Sequence, residues 1–472
     1  MERMSAAQEA RTIARLAAPI ALAQLGLVAM SLVDTAILGR AGAVELAGGA
    51  IGRNIGFAAA TIQIGIALAV EPLASQAIGA GKHRRAWNAL VATLRTLAML
   101  WVPTALVAFA LTLVLEPLGT EHDVATKARL FLLGQAPGLL FHGFFLASKS
   151  YVQAHGRSFP IVVASAVANV VNLVVCNVLV RGDDALAIVH LPALGLPKLG
   201  ALGAGMAASI GGLVIVSIVL GSARLLRERA SSGDREGDVV TKTEVLRMGL
   251  PVALHMAAEI GVFAGVSVLT GAFGTSVVAA HQIALGLASF TFMGALGVSG
   301  ATASRVGRAV GAGEDARTPG LVGIALGMLV MSLGAFAFVC WPKNLVGLFT
   351  KDAEVARVGV QLLALAAIFQ LFDGVQAVAS GALRGMGDVR FSFIAGACSY
   401  WLIGFPIAIA LGFGLHMGVV GLWVGLTAGL VAAAVALAAR FLAVSARRRR
   451  LQESVERSTL VEPCAPSPSP SS

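Results

Sequence analysis

The stretch Leu250-Pro251-Val252-Ala253-Leu254-His255-Met256-Ala257-Ala258-Glu259-Ile260-Gly261-Val262-Phe263-Ala264-Gly265-Val266-Ser267-Val268-Leu269-Thr270-Gly271 decides how the chain is read. An apolar run of about 20 residues is long enough to cross the hydrocarbon core of a bilayer as a helix. Glu259 sits in the middle of it. A carboxylate at the bilayer centre costs about 2.5–3.5 kcal/mol on insertion scales, so such a residue faces a cavity or a partner and marks an ion or substrate pathway. A second polar group must come from elsewhere in the chain.

Working outward, the 472 residues are 57% hydrophobic and 13% charged, against about a quarter charged in soluble domains. Mean hydropathy is +0.84. The composition is that of an integral membrane protein, with too few long polar segments to hold a soluble domain. Twelve apolar runs read as helical spans, at 16–39, 48–78, 88–115, 126–150, 159–180, 199–223, 247–271, 277–304, 319–342, 356–383, 390–414 and 417–444. No period-2 alternation supports a barrel. Met1 to Arg15 is polar and basic, and the run that follows to Leu38 exceeds the about 7–15 residues of a signal-peptide core, so it reads as a retained first helix.

The net charge of +10 sits at the ends of the spans instead of forming a stripe with aromatics, which argues against a nucleic-acid partner. Lys82, Arg84, Arg85, Arg157, Arg224, Arg227, Arg229, Arg235, Lys242, Arg305, Arg308, Arg317, Arg384, Arg390 and Arg447 to Arg450 all fall on one side of the twelve spans. By the positive-inside rule that side is cytoplasmic, and both termini lie there. Cys176, Cys340, Cys398 and Cys464 share no metal or redox spacing. His-Glu-x-x-His, Gly-x-Ser-x-Gly and Walker patterns do not occur, so the chain reads as a non-enzyme.

The chain repeats. Arg15-Leu16-Ala17-Ala18-Pro19 opens span 1 and Arg247-Met248-Gly249-Leu250-Pro251 opens span 7, while Gly79-Ala80-Gly81 and Gly311-Ala312-Gly313 follow spans 2 and 8; both offsets are 232 (247 minus 15, 311 minus 79). Six spans per copy is an even number, so the copies run the same way and are related by an axis along the membrane normal. The expected fold is all-α and polytopic: twelve transmembrane helices in two six-helix lobes with a pseudo-two-fold along the normal. The expected divisions are an N-terminal lobe at 1–223, a charged cytoplasmic linker at 224–243, a C-terminal lobe at 244–445 and a disordered cytoplasmic tail at 446–472.

Three carboxylates lie inside spans: Asp34, Glu259 and Asp373. Glu259 is twelve residues from Arg247 and Asp373 eleven from Arg384, which at 1.5 Å per residue is roughly 18 and 16 Å from the basic side, one common depth. Asp34 is nineteen residues from Arg15, roughly 28 Å from that side, and so lies apart in the other lobe. Two carboxylates at one depth in low dielectric share a proton or hold a cation, and Na⁺ at Glu259 and Asp373 is one of the two possibilities. Gln370 and Gln376 flank Asp373 at i−3 and i+3, and His255 precedes Glu259 by one turn, so a polar lining is available. Asn169 and Asn172 serve equally well as interhelical glue. Glu71 reads as an interfacial cap, His281 as a packing residue, and Arg53, Arg95, Lys127 and Lys149 as cations nearer the span ends.

These residues together resemble the multidrug and toxic compound extrusion (MATE) transporters, NorM-like branch, over roughly residues 12–445. The resemblance rests on Val33-Asp34-Thr35, Pro72-Leu73-Ala74-Ser75-Gln76, Gly249-Leu250-Pro251 with Glu259, Val278-Ala279-Ala280-His281-Gln282, Phe369-Gln370 with Asp373 and Gln376, and Ser380-Gly381-Ala382-Leu383-Arg384-Gly385. It implies an antiporter of the bacterial inner membrane that exports organic cations in exchange for inward Na⁺ or H⁺, with no other cofactor, and that works as a monomer. It assigns ion or proton coupling to Glu259, Asp373 and Asp34, and a lining role to Asn172, Gln282, Gln370, Gln376, His255 and Phe263. Cys176 stands where a second asparagine is expected, with Asn177 one place on, and Phe369 where some members carry Tyr. A lipid-linked oligosaccharide flippase of the same broad superfamily is the alternative; it needs mid-span cationic clusters that the sequence lacks.

Overall fold

A computed structural model describes residues 5–188, 192, 195–230 and 239–461. Among them twelve helices are long and apolar enough to cross a membrane, and there is no strand. They are α1 (Ala6–Ala41), α2 (Ala43–Gly79), α3 (His83–Leu113), α4 (His122–Ala154), α5 (Phe159–Arg181), α6 (Gly200–Glu228), α7 (Lys242–Phe273), α8 (Thr275–Ala312), α9 (Arg317–Cys340), α10 (Ala353–Met386), α11 (Val389–Gly414) and α12 (Gly418–Leu451).

Their ends follow local chemistry. Ser5 and Gln8 form a reciprocal capping box ahead of α1, at 2.9 and 3.3 Å. The Asp352 carboxylate accepts from the amides of Glu354 and Val355 at the start of α10, and Gly387 closes α10 in the left-handed region at φ 83°. Pro19, Pro103, Pro137 and Pro251 lie inside helices, which membrane helices tolerate because neighbouring groups take up the freed carbonyls.

Two spans are less regular than the apolar pattern predicts. α2 breaks at Leu68-Ala69, just before Pro72, whose ring removes an amide; the chain crosses the break with i→i−3 bonds such as Glu71 N to Leu68 O at 3.1 Å. α11 contains two π-helical segments, Cys398–Gly404 and Ala410–Gly414, on either side of Pro406. The interlobe divisions also shift. The helix of α6 runs on to Ala230 and α7 begins at Lys242, so the linker is shorter than 224–243, and its 231–238 lie outside the described residues. The helix of α12 continues to Val461 instead of giving way at 446, because 451–461 contains neither Gly nor Pro; the proline-rich 462–472 lies outside the described residues.

α1–α6 pack together as one lobe and α7–α12 as the other; apolar cores lie within each lobe, and a further cluster joins Ile13, Leu16 and Ile20 of α1 to Val298, Ala301 and Val378 of the other lobe. Every described polar link between the lobes falls in the half that carries the basic ends. Arg305 grips Glu9 at 2.7 and 2.8 Å, Arg384 meets Glu71 at 2.6 Å, and Arg85 meets Glu244 at 2.8 Å. Gln76 Nε2 donates to Gly385 O at 2.9 Å, and Ser304 Oγ to Gln153 O at 2.9 Å. In the same half backbone meets glycine directly: a Cβ on Gly249 would stand 2.5 Å from Ile66 Cα, and one on Gly297 2.7 Å from Ala17 O, while Gly79 abuts Arg308 and Gly311 abuts Gln76. The lobes are thus sealed at the basic end.

Candidate functional site

The intramembrane acids fall into two groups, one per lobe. In the C-terminal lobe Asp373, on α10, is 7% exposed and lies in the electrostatic field of Glu259, on α7. No Lys or Arg makes an ion pair with either carboxylate among the described residues. His255, one turn before Glu259, places its Nε2 3.9 Å from Glu259 Oε2. Gln376 Nε2 lies 3.3 Å from that same nitrogen. Gln376 thereby ties α10 to α7 three residues past Asp373.

Tyr400, 2% exposed in the first π segment of α11, places its hydroxyl against the Glu259 carboxylate. A buried hydroxyl next to a carboxylate is a ready ligand or donor for whatever occupies the site. The sequence reading missed Tyr400. Its signal was a tyrosine in an apolar span near Pro406, but the π register shifts it off the face that a regular helix would give it.

Gln370, fully buried, accepts through Oε1 from Thr291 Oγ1 at 2.7 Å, while its Nε2 has no partner. Two of the expected lining residues stand outside these hydrogen bonds. Phe263 packs edge-on to Phe369 with ring centroids 5.9 Å apart, and Phe369 in turn packs on Trp423, so Phe263 belongs to the C-lobe aromatic core. Gln282 is exposed and takes no part in this network, because the helix turns it away from its buried neighbour His281. His281 accepts from Trp423 Nε1 at 3.1 Å through Nδ1, leaving Nε2–H to donate to Ser267 Oγ at 2.8 Å. Both ring nitrogens are committed, which makes it a packing residue.

In the N-terminal lobe Asp34, on α1, is 5% exposed. Asn172, on α5, is fully buried and donates from Nδ2 to Asp34 Oδ1 at 3.2 Å. Asn169, one turn earlier, spends its amide on Ser165 O in its own helix. The Cys176 thiol lies against Asp34, while Asn177 turns away to Leu173 O. Arg53, on α2, lies in the field of Asp34 and donates to Ser31 O at 2.7 Å and to Ser31 Oγ. Arg53 was read as an end residue; it is the local counter-charge of the N-lobe acid.

Glu71 also departs from its reading as an interfacial cap. It is 5% exposed and forms the interlobe pair with Arg384. Among the described residues no group of three or more His, Cys, Asp or Glu is disposed to hold a metal.

Two six-helix lobes meeting at one end, each with its own buried acid and polar lining, define a two-lobed membrane transporter. The MatE family model matches the chain twice, over residues 19–178 and 251–410, and the two matches are themselves 232 residues apart (251 minus 19, 410 minus 178). The chain belongs to the MatE family, the multidrug and toxic compound extrusion transporters, in its NorM-like branch, and is a transporter, not an enzyme. It is similar to the "Probable multidrug resistance protein NorM" of Pseudomonas putida, 34% identical over 441 residues covering 88% of this chain and 90% of that one. It is likewise similar to the "Multidrug resistance protein NorM" of Burkholderia vietnamiensis, 33% identical with 89% and 90% covered. Among solved structures the eukaryotic MATE transporter AtDTX14 superposes with a TM-score of 0.83 at 22% identity, covering 95% of this chain and 99% of that one. The Vibrio cholerae MATE transporter VcmN in its bent form gives 0.82 at 21%, covering 94% and 99%. At those identities the structures establish the fold.

Proposed function

We propose that the protein is a secondary active antiporter of the bacterial inner membrane that exports organic, mostly cationic, drugs and toxins in exchange for inward Na⁺ or H⁺. The observation that carries this reading is the pair Glu259 and Asp373, two intramembrane carboxylates in each other's field without a Lys or Arg partner. Low dielectric forbids both from staying ionised alone, so the pair takes up a proton or a cation. Gln376, Gln370 and the Tyr400 hydroxyl supply polar atoms around it. Asp34, held by Asn172, serves the other lobe, where it can meet a cationic substrate. Binding that favours one lobe arrangement over the other then drives alternating access.

The basic, sealed end is the cytoplasmic one in this reading, because Lys and Arg gather there, and both termini lie on that side. Both lobes come from one chain, in keeping with a functional monomer. A flippase for lipid-linked oligosaccharide diphosphates is disfavoured because the half-buried Arg53 and Arg384 and the buried Lys149 each lie in the field of a carboxylate.

The test uses everted vesicles carrying wild-type, Glu259→Gln or Asp373→Asn protein, with ethidium as substrate and Na⁺ and proton gradients imposed separately. Loss of ion-driven transport in both variants is expected, with dependence on one gradient naming the ion. Undiminished transport in both would sink the assignment.

A further inference from the structure

A second group of buried charges lies at the seal between the lobes, and the antiport chemistry does not use it. Glu71 of α2 is 5% exposed, and its carboxylate is bound by Arg384 of the opposite lobe at 2.6 Å. Lys149 of α4, 8% exposed, lies in the field of both. Its one described hydrogen bond is a long one, 3.5 Å to Gln24 Oε1, and among the described residues it makes no ion pair with a carboxylate. One turn on, Gln153 is 2% exposed, and neither its side-chain oxygen nor its nitrogen has a partner. Gln153 Oε1 and Glu71 Oε1 border the same spot on α8: a Cβ on Gly300 would stand 3.5 Å from the first and 3.9 Å from the second.

Two cations thus compete for one carboxylate, and only the one from the other lobe is engaged. An ammonium buried without a direct counter-ion is costly, and an apolar side chain of similar length would fill the space without that cost. The charge makes sense if it is used in another arrangement. Alternating access has to part the lobes at this end, which carries Arg384 away and leaves Glu71 without its partner. Lys149 travels with Glu71, because both belong to the N-terminal lobe.

We propose that Lys149 is the exchange partner of Glu71: when the lobes separate at the basic end, Glu71 releases Arg384 and pairs with Lys149. Lys149 is therefore a positioning residue for the transport cycle. It lowers the barrier to opening by ensuring that the carboxylate is never left without a cation, and the unpartnered Gln153 amide lies beside Glu71 to accompany the change. The inference rests on the alternating-access reading above but not on the identity of drug or ion.

The experiment measures the distance between spin labels at Arg157→Cys in the N-terminal lobe and Thr243→Cys in the C-terminal lobe. It uses the full chain in lipid nanodiscs, with the four native cysteines replaced by alanine. Lys149→Met should reduce the population with a widened basic end at least tenfold. Lys149→Arg should restore it, which a purely steric role would not require. In a Glu71→Gln background Lys149→Met should have no further effect, since there is no carboxylate left to hand over. A widened population in Lys149→Met equal to wild type, an equal drop in the Glu71→Gln background, or a wild-type chain that never widens would each overturn the exchange. Ethidium transport measured in parallel on the unlabelled chain with its native cysteines, Cys176 beside Asp34 included, keeps the two ideas separate. A chain that fails to export ethidium but shows the Lys149 pattern refutes the drug reading and leaves the exchange standing.

Discussion

Asn172 of α5 reaches across the N-terminal lobe to donate to Asp34 of α1 at 3.2 Å, and both are buried. The bond sets the orientation of the carboxylate of Asp34. A hydrogen bond to a charged group is worth about 1.5–3 kcal/mol, and each 1.4 kcal/mol is about tenfold in affinity. Asn172→Ala should therefore weaken substrate binding about 10- to 100-fold while leaving the protein folded. Equilibrium binding of a fluorescent cation to purified protein checks this, and an unchanged affinity would detach Asn172 from the site.

Glu259 and Asp373 behave as one unit in this arrangement, so their substitutions should not multiply. Each of Glu259→Gln and Asp373→Asn should cut ion-driven ethidium export at least about 100-fold, and the double variant should be no worse than either alone. Rates in proteoliposomes decide the matter. A double variant lower by the product of the two single effects would show independent roles.

The interlobe pair Glu71–Arg384 is a stability feature as well. Removing one member of a buried pair costs about 3–5 kcal/mol, because the other is left uncompensated. Arg384→Gln should lower the thermal midpoint in detergent, and the exchanged pair Glu71→Arg with Arg384→Glu should recover part of the loss. A midpoint unmoved by Arg384→Gln would mean that water reaches the pair.

Gly311 has no room for a side chain, since a Cβ there would run into the backbone of Gln76 in the other lobe. Gly311→Ala should hold the basic end apart, so that cysteine reagents applied to that side label residues beneath the seal faster than in wild type. The same change at Gly313, where nothing lies within 4 Å of a Cβ, should act through its left-handed φ of 71° and destabilise without opening the seal.

Asp315 lies in the loop before α9, outside the spans. Its partial burial would raise its pKa, but the Thr318 hydroxyl at 2.7 Å, the Arg317 amide at 3.0 Å and the charge of Arg449 outweigh this and hold the carboxyl below its ordinary value. A depressed carboxylate stabilises at neutral pH, and its contribution is lost as pH falls through the depressed value. Asp315→Asn should therefore be less stable than wild type at neutral pH, by about 1 kcal/mol. That gap should shrink on acidification below the ordinary carboxylate range, as followed by thermal melts across pH.

The sequence made the spans, the repeat and the three acids legible, because each depends on residues near one another in the chain or on a fixed offset. Depth arithmetic placed Glu259 and Asp373 together and Asp34 apart, and the geometry has the same division. Contacts between helices were not legible. Arg53 looked like a span-end residue because nothing in the sequence aims it at Asp34, and Lys149 and Glu71 looked interfacial because the seal that buries them is built from the other lobe. Cys176 read as a lost polar partner, yet its thiol lies against Asp34 while the displaced Asn177 turns away. Tyr400 was hidden by the π segment that carries it, since helical phase no longer tells which face a residue occupies there.

At Gly249, Gly297, Gly79 and Gly311 the lobes meet with main chain laid flat on glycine, beside an apolar patch where Ile13, Leu16 and Ile20 pack on Val298, Ala301 and Val378. The glycine contacts work like smooth plates and not like a zip. Interlocked side chains would have to find their rotamers again at every closure, whereas smooth faces slide apart and return in register without any search. What sets the tempo of the machine is then the small number of charged bolts across the joint, and a cell could retune the whole cycle by changing one bolt without touching the plates.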